Sequence, residues 1–181
     1  MRVWVDADAA PREVKEVVFR VSRRLAIDTV LVANGGLQVP ANATTVSVVQ
    51  VSQGANVADR YIADRAVPGD IVVTADIPLA AILVEKGVDV IDPRGDVYHR
   101  DNIRSRLATR DFFESVRAAG VTTSGAGPYS PQDKKAFADS FDRAIARAIR
   151  AASRQPRPES AAPQAPENKA ADSTNDGFGV N

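Results

Sequence analysis

The sequence contains no cysteine, which excludes disulfides, thiolate metal ligands and cysteine nucleophiles. The same absence is typical of a protein from a reducing compartment. Histidine is nearly absent as well, since His99 is the only one; it lies beside Tyr98 in a polar loop, where a catalytic role is not favoured. A metal or catalytic site in this chain would therefore be built mainly from oxygen-bearing side chains.

An excess of charge of either sign is also missing, because Lys+Arg and Asp+Glu both number 23. The overall basic character of many nucleic-acid binders is absent, so only the local placement of charge can indicate whether this chain binds nucleic acid. No apolar run approaches the about 18 residues of a membrane-spanning helix, and the chain enters a strand without a leader segment. We expect a cytoplasmic protein without a membrane segment. At 181 residues the chain is long enough for one domain and an appendage.

The first strand leads directly into two carboxylates. Residues 3–5 form a short apolar run typical of a central strand in a parallel sheet, and Asp6 and Asp8 follow it. Residues two apart in an extended chain point the same way, so both carboxylates can face one crevice. Pro11 then fits the first turn of a helix. The alternative is that Asp8 only caps that helix.

The same order of strand, aspartate and proline recurs at residues 71–78, with Asp76 after the strand. Apolar periodicity predicts five strands that alternate with helices, and hence a doubly wound parallel α/β sheet. The predicted strands are 3–5, 29–33, 45–51, 71–74 and 88–91, and the predicted helices are 13–25, 56–66, 79–85, 101–119 and 131–152.

The two C-terminal helices have apolar residues at helical spacing. These are Ile103, Leu107, Phe112, Phe113 and Val116 in the first, which is predicted to be amphipathic, and Phe137, Phe141, Ile145 and Ile149 in the second, which is predicted to bury them and to be capped by Ser130. The segment 120–130 between them is predicted to be a flexible loop, and 92–98 a turn-rich loop. Residues 153–181 are rich in Pro and Ala, have almost no large apolar residues, and are predicted to be a disordered tail after a domain of residues 1–152.

Four aspartates are predicted to meet at one edge of the sheet. Ligand crevices of doubly wound sheets lie at the carboxyl ends of the strands where the winding reverses. Strands one and four would bring Asp6, Asp8 and Asp76 there, and the first turn of the second helix would add Asp59. The structural alternatives are a capping box of Asn56 with Asp59, and a helix N-cap at Asp76.

Carboxylates 4 Å apart repel by about 4 kcal/mol at an effective dielectric constant of 20, so four in one crevice indicate a bound cation. Because all ligands are oxygen atoms, the pattern favours Mg²⁺ or Mn²⁺ over zinc.

A family resemblance rests on several stretches of the chain, namely residues 6–9, 31–34, 58–59, 69–80, 93–95, Tyr98 and 102–103. Taken together, they resemble the bacterial YaiI/YqxD family of uncharacterised proteins over residues 1–148, and the fold of that family is similar to PIN-domain nucleases. The resemblance implies a PIN-like sheet of order 3-2-1-4-5 and an acidic, metal-dependent site of the nuclease type. Asp6, Asp8, Asp59 and Asp76 match its acidic positions, and Asn34 and Thr74 are their polar neighbours.

The chain departs from that family pattern at three places. Ala10 stands where the family usually has Cys, Asn56 stands where it usually has Asp, and the loop 122–128 is altered from a tighter Thr-Gly-Gly-Pro type. The change at Asn56 removes one acidic group from the expected metal site, although an amide still offers a neutral oxygen.

The function favoured by these patterns is a metal-dependent phosphodiesterase acting on RNA. Asp6 and Asp76 are expected to ligate the ion directly, and Asp8 and Asp59 directly or through water. Asn34, Thr74, Arg94 and Arg104 are the expected substrate contacts, and Arg100 and Arg110 could extend a route for phosphates.

Two other functions stay open. A haloacid-dehalogenase-type phosphatase also begins with Asp-x-Asp after a strand, but its later acidic motif and its lysine have no suitably placed counterpart here. A non-catalytic RNA- or nucleotide-binding module would use the same crevice without turnover.

Overall fold

The apolar segments of the chain form a six-stranded sheet in the computed structural model, which describes residues 1–121 and 127–154. The strands are β1 (Val3–Asp6), β2 (Thr29–Ala33), β3 (Val46–Gln50), β4 (Ile71–Val73), β5 (Asp89–Ile91) and β6 (Val97–Tyr98). The helices are α1 (Arg12–Leu25), α2 (Val57–Arg65), α3 (Ile77–Glu85), α4 (Arg100–Ala118) and α5 (Pro131–Arg154). The predicted α/β class is confirmed.

The strand order is β3-β2-β1-β4-β5-β6, with all neighbours parallel except β5 and β6. The predicted PIN-like order 3-2-1-4-5 is therefore confirmed for the first five strands. The sixth strand corrects the prediction that residues 92–98 are only a loop. Gly95 donates its N–H to the Asp92 carbonyl at 2.8 Å in a tight turn, which sends the chain back along β5.

Both faces of the sheet are covered by helices, as the apolar run in β1 predicted. Val3 and Val5 are fully buried on the face covered by α1 and α5, and Trp4 is buried on the opposite face among residues of α2, α3 and α4. This alternation follows from the two-residue period of a strand. No helix among the described residues is long and apolar enough to cross a membrane.

Asp70, which precedes β4, is a buried carboxylate with a structural role. It accepts hydrogen bonds from the Arg2 N–H at 2.8 Å, the Trp4 indole N–H at 3.1 Å and the Val67 N–H at 3.3 Å. These donors satisfy its charge and join the starts of β1 and β4. Asp70 therefore holds β1 and β4 together at the edge of the sheet where these two strands begin.

α5 is an integral layer of the domain. Phe137, Phe141 and Ile145 are buried as predicted, and the two phenyl rings are stacked with their centroids 5.5 Å apart. Ile149 is 41% exposed, so the buried stripe ends one turn earlier than predicted. Ser130 caps the helix as predicted, because its hydroxyl accepts the Asp133 N–H at 3.2 Å.

The start of the predicted tail shifts slightly along the chain, since α5 continues through Ser153 to Arg154. The remaining tail residues, 155–181, and residues 122–126 of the predicted loop 120–130 lie outside the described residues. Their predicted disorder and flexibility stay predictions.

The exposed aromatic residues of α4 correct another prediction. Phe112 and Phe113 are 61% and 44% exposed, whereas Ile103 is buried. The reason is length: α4 has 19 residues and its partner α3 has 9. At 1.5 Å per residue, the C-terminal half of α4 extends past the helix that could cover it.

Gly95 offers a test of how α5 is held against the sheet. Gly95 has φ +94°, and a Cβ there would lie 2.5 Å from the Ala136 carbonyl carbon. Gly95→Ala is expected to lower the free energy of unfolding by about 1–2 kcal/mol because of the left-handed backbone, and by about 1–3 kcal/mol more because of the overlap. Gly69→Ala is the matched control, since Gly69 has φ +90° and a Cβ there would meet no atom within 4 Å. Urea unfolding should show the larger loss for Gly95→Ala; equal losses would mean that α5 does not pack tightly on this turn.

Candidate active site

The carboxyl ends of β1 and β4 open into a cleft of about 370 Å³, called the acidic cleft below. It brings together all four of the predicted aspartates. Its lining residues are Asp6, Asp8, Ala9, Asn34, Asn56, Ala58, Asp59, Ala75 and Asp76. The cleft lies where the sheet order reverses direction, between β1 and β4, as expected for a doubly wound fold.

Asp6 is the most buried of the four, with 6% of its surface exposed. Burial raises the pKa of the Asp6 carboxyl, and the negative charges of Asp8 and Asp76 raise it further. Hydrogen bonds from the Thr74 hydroxyl and the Ala9 N–H oppose this change. The folded protein therefore holds an ionised Asp6 only at a cost, which an opposite charge in the cleft would offset.

Thr74 is a positioning residue between two of the aspartates. Its hydroxyl donates to Asp6 Oδ2 at 3.1 Å and accepts the Asp76 N–H at 3.0 Å. The side chain is buried and both contacts are internal. The predicted substrate contact is thus placed behind the acidic cleft, where it links the end of β1 to the start of α3.

Asp76 is the N-cap of α3, as the structural alternative predicted. Its Oδ1 accepts the Leu79 N–H at 2.6 Å, and Pro78 occupies the first helical turn. A carboxylate has two oxygens, so the cap leaves Oδ2 for the acidic cleft that Asp76 lines. Capping and a role in the site are therefore compatible, since the cap fixes the direction of the carboxylate.

Asp8 does not cap α1, so that alternative is wrong. The helix starts after Pro11 without a side-chain cap, while Asp8 Oδ2 accepts the Asn34 N–H at 2.7 Å. Sequence reasoning missed this role of Asn34, and it missed Lys15, whose ammonium donates to the Ala7 carbonyl at 3.1 Å. These contacts hold the short segment that carries Asp6 and Asp8 against β2 and α1.

Asp59 lines the acidic cleft from the first turn of α2. The predicted capping box with Asn56 is wrong, because Asn56 has φ +61° and makes no side-chain cap hydrogen bond. Burial raises the pKa of the Asp59 carboxyl, and the charges of Asp76 and Asp6 raise it further. The charges of Asp76 and Asp6 act on Asp59, so the three carboxylates are close enough to interact electrostatically.

The donor set fits a hard divalent cation. Asn34 Oδ1 is buried and, within the residues that the structure describes, has no hydrogen-bond donor. This unpaired oxygen belongs to a residue that lines the cleft beside the four carboxylates. No three or more acidic or histidine side chains are close enough to enclose a metal ion among residues 1–121 and 127–154. Mg²⁺ keeps several waters and needs only one or two direct carboxylates, which this open arrangement allows.

Arg94 and Arg104, the two predicted substrate-binding arginines, lie away from the lining of the acidic cleft. Arg94 forms an ion pair with Asp133 at 2.8 Å, which joins the turn at Gly95 to the start of α5. Arg104 lines a separate groove between α3 and α4. Arg110 and Arg60 instead line a pocket that adjoins the cleft. Sequence reasoning missed Arg60, although it directly follows Asp59 in α2.

Comparison with known proteins identifies the family. The family profile described as "Uncharacterized BCR, YaiI/YqxD family" matches residues 4–147. The chain belongs to the YaiI/YqxD family. A UPF0178 protein of Myxococcus xanthus is 49% identical over 150 residues, which cover 83% of this chain and 97% of the relative. One from Trichlorobacter lovleyi is 46% identical over 155 residues, covering 86% and 100% respectively. No solved structure matches the chain.

Two of the departures from the YaiI/YqxD pattern fall on described residues and have different settings. Ala10, in place of the usual Cys, is buried in the core with α1, which makes this change a matter of packing. Asn56, in place of the usual Asp, lines the acidic cleft. Asparagine tolerates the left-handed backbone found there and carries no charge.

The raised pKa of Asp6 predicts how stability depends on pH in the absence of metal. An acid whose pKa is higher in the folded state favours folding when it is protonated, and this contribution is lost as pH rises through its folded pKa. Asp6→Asn keeps an acceptor for Thr74 and removes the charge. In EDTA at pH 7 it should be at least as stable as the wild type, and the difference should disappear near pH 4.

Urea unfolding measures this difference, with Asp28→Asn as the control, because Asp28 is exposed at the opposite edge of the sheet. A loss of stability in Asp6→Asn that is equal at both pH values would contradict the prediction, since it would show a lost contact rather than a relieved charge.

Proposed function

We propose that this protein is a Mg²⁺- or Mn²⁺-dependent phosphodiesterase that acts on RNA. The observation that carries the proposal is the acidic cleft at the ends of β1 and β4, whose lining combines four carboxylates with the amide of Asn34. Carboxylates that line one cleft favour a bound cation, and oxygen ligands suit magnesium and manganese. The resemblance to PIN-like nucleases supports RNA as the substrate.

Each residue has a distinct part in the proposed reaction. A bound divalent ion would activate water and neutralise charge on the scissile phosphate. Asp6 and Asp76 would hold the ion directly, and Asp8 and Asp59 would hold it directly or through water. Thr74 keeps Asp6 in place, and the cap contact with the Leu79 N–H orients Asp76.

RNA cleavage tests the activity itself. The purified protein should cleave single-stranded RNA slowly with Mn²⁺ or Mg²⁺ and not with EDTA. Asp6→Asn and Asp59→Asn should abolish cleavage, because each keeps its shape but removes charge from the site. Asp64→Asn is the matched control, since Asp64 is exposed on the same helix as Asp59 and does not line the cleft.

The outcomes separate the three candidate functions. Cleavage that persists in Asp6→Asn would place the activity elsewhere. Release of inorganic phosphate from small phosphomonoesters, with RNA left intact, would favour the phosphatase. Saturable RNA binding without metal-dependent turnover would favour the non-catalytic binding module.

Metal binding can be tested without turnover. Mn²⁺ at about 100 times its Kd should stabilise the folded wild type by about 2.7 kcal/mol, seen as a rise in melting temperature. Asp76→Asn keeps an oxygen for the cap and should lose most of this rise. Asp76→Ala should lose the rise and also about 0.5–2 kcal/mol of stability with or without metal.

Equal metal-induced rises in the wild type and both Asp76 variants would remove Asp76 from the site. Asp64→Asn again serves as the control and should keep the full rise.

A further inference from the structure

A second pocket, of about 280 Å³, opens beside the acidic cleft. It shares Asn56, Asp59 and Asp76 with the cleft, so the two spaces are adjacent. Its other walls are formed by α2, α3 and α4, and the residues there are Arg60, Ala63, Pro78, Leu79, Ile82 and Arg110. These six residues define what we call the arginine pocket.

The arginine pocket combines an apolar wall with two cations, next to the carboxylates of Asp59 and Asp76 that it shares with the cleft. Pro78, Leu79 and Ile82 lie along α3, and Ile82 is 51% exposed although it is a large apolar residue. Arg60 and Arg110 face the same space from the neighbouring helices. Small-ligand sites typically have about 300 Å³ or more, with apolar walls and a few fixed polar groups. A nucleotide has this chemistry, because it joins a flat base to an anionic phosphate.

Arg110 is already held in place at the edge of this pocket. Its Nη1 lies 3.0 Å from Asp111 and 2.8 Å from Glu114, both on α4. A guanidinium has five N–H donors, more than these two contacts use, so donors remain for a phosphate. The two carboxylates therefore orient the group and also compete with any anion that binds it.

We propose that the arginine pocket binds the nucleotide next to the scissile phosphate of a single-stranded RNA. Arg110 and Arg60 bind its phosphate, and the wall formed by Pro78 and Ile82 packs against its base. The inference rests on the proposed function, because it assigns this pocket and the acidic cleft to one substrate strand. It replaces Arg94 and Arg104, which lie elsewhere, as the arginines that bind the substrate.

Binding of uridine 5′-monophosphate tests the pocket without any cleavage, since this probe contains no phosphodiester. Calorimetry should show saturable binding to the wild type. Arg110→Gln should raise the Kd about tenfold, as expected for loss of a hydrogen bond to a charged group. Ile82→Gln should also raise the Kd. Arg100→Gln is the matched control, because Arg100 is exposed on the same helix but lines the other groove, and it should change the Kd less than twofold.

Glu114→Gln tests the same point in the opposite direction. Removing one carboxylate from Arg110 releases the guanidinium, so the Kd for the probe should fall. Melting temperatures of all variants should match the wild type, because the changed side chains are exposed or half-buried at the surface.

Several results would overturn the proposal. These are the absence of saturable binding to the wild type, an unchanged Kd in Arg110→Gln, and equal affinity for ribose 5-phosphate and the nucleotide, which would leave a phosphate site without a base contact. The two proposals fail separately: loss of probe binding in Arg110→Gln with no RNA cleavage by the wild type would retain the pocket and reject the nuclease. Metal-dependent RNA cleavage by the wild type, together with a Kd for the probe that is unchanged in Arg110→Gln, would retain the nuclease and reject the pocket.

Discussion

The parallel pairing of β1 with both β2 and β4 is the constraint on which the rest of the molecule depends. Val5 pairs with Leu31 on one side and with Val73 on the other, so the three strands end within two residues of one another. Every polar residue that follows these strands is therefore delivered to one edge. Because β3 lies beyond β2, the chain must cross the sheet to reach β4, and α2 begins at the same edge. The acidic cleft is a direct result of this topology.

Three of the four carboxylates in the cleft have one oxygen held by an internal donor. Asp6 accepts from the Thr74 hydroxyl, Asp8 from the Asn34 N–H and Asp76 from the Leu79 N–H. Asp8 and Asp76 keep a second oxygen for other partners, and each of the three contacts fixes its side chain before anything binds. Fixed first contacts of this kind are what precise metal and substrate sites require.

The position of the strand-end aspartates at one cleft could be predicted from sequence because strand ends are set by short-range patterns. The apolar runs before Asp6 and Asp76 indicated the edge at which these aspartates lie. The roles of individual side chains depend on distances in the folded chain and were harder to predict. Arg94 is paired with Asp133, 39 residues away, and Phe112 is exposed only because α4 is longer than α3. No periodicity within a helix contains this information.

The close approach of Gly95 to the backbone of α5 bears on where this protein can be divided. The segment 120–130 has the composition of a linker, which invites a domain boundary there. Yet α5 contributes Phe137 and Phe141 to the same core as Val3 and Val5, and the family profile extends into this helix, to residue 147. A fragment that ended before residue 131 would keep every aspartate of the cleft and lose a layer that supports β1. Residues 131–154 are thus inseparable from the part of the chain that carries the cleft, although none of them lines it.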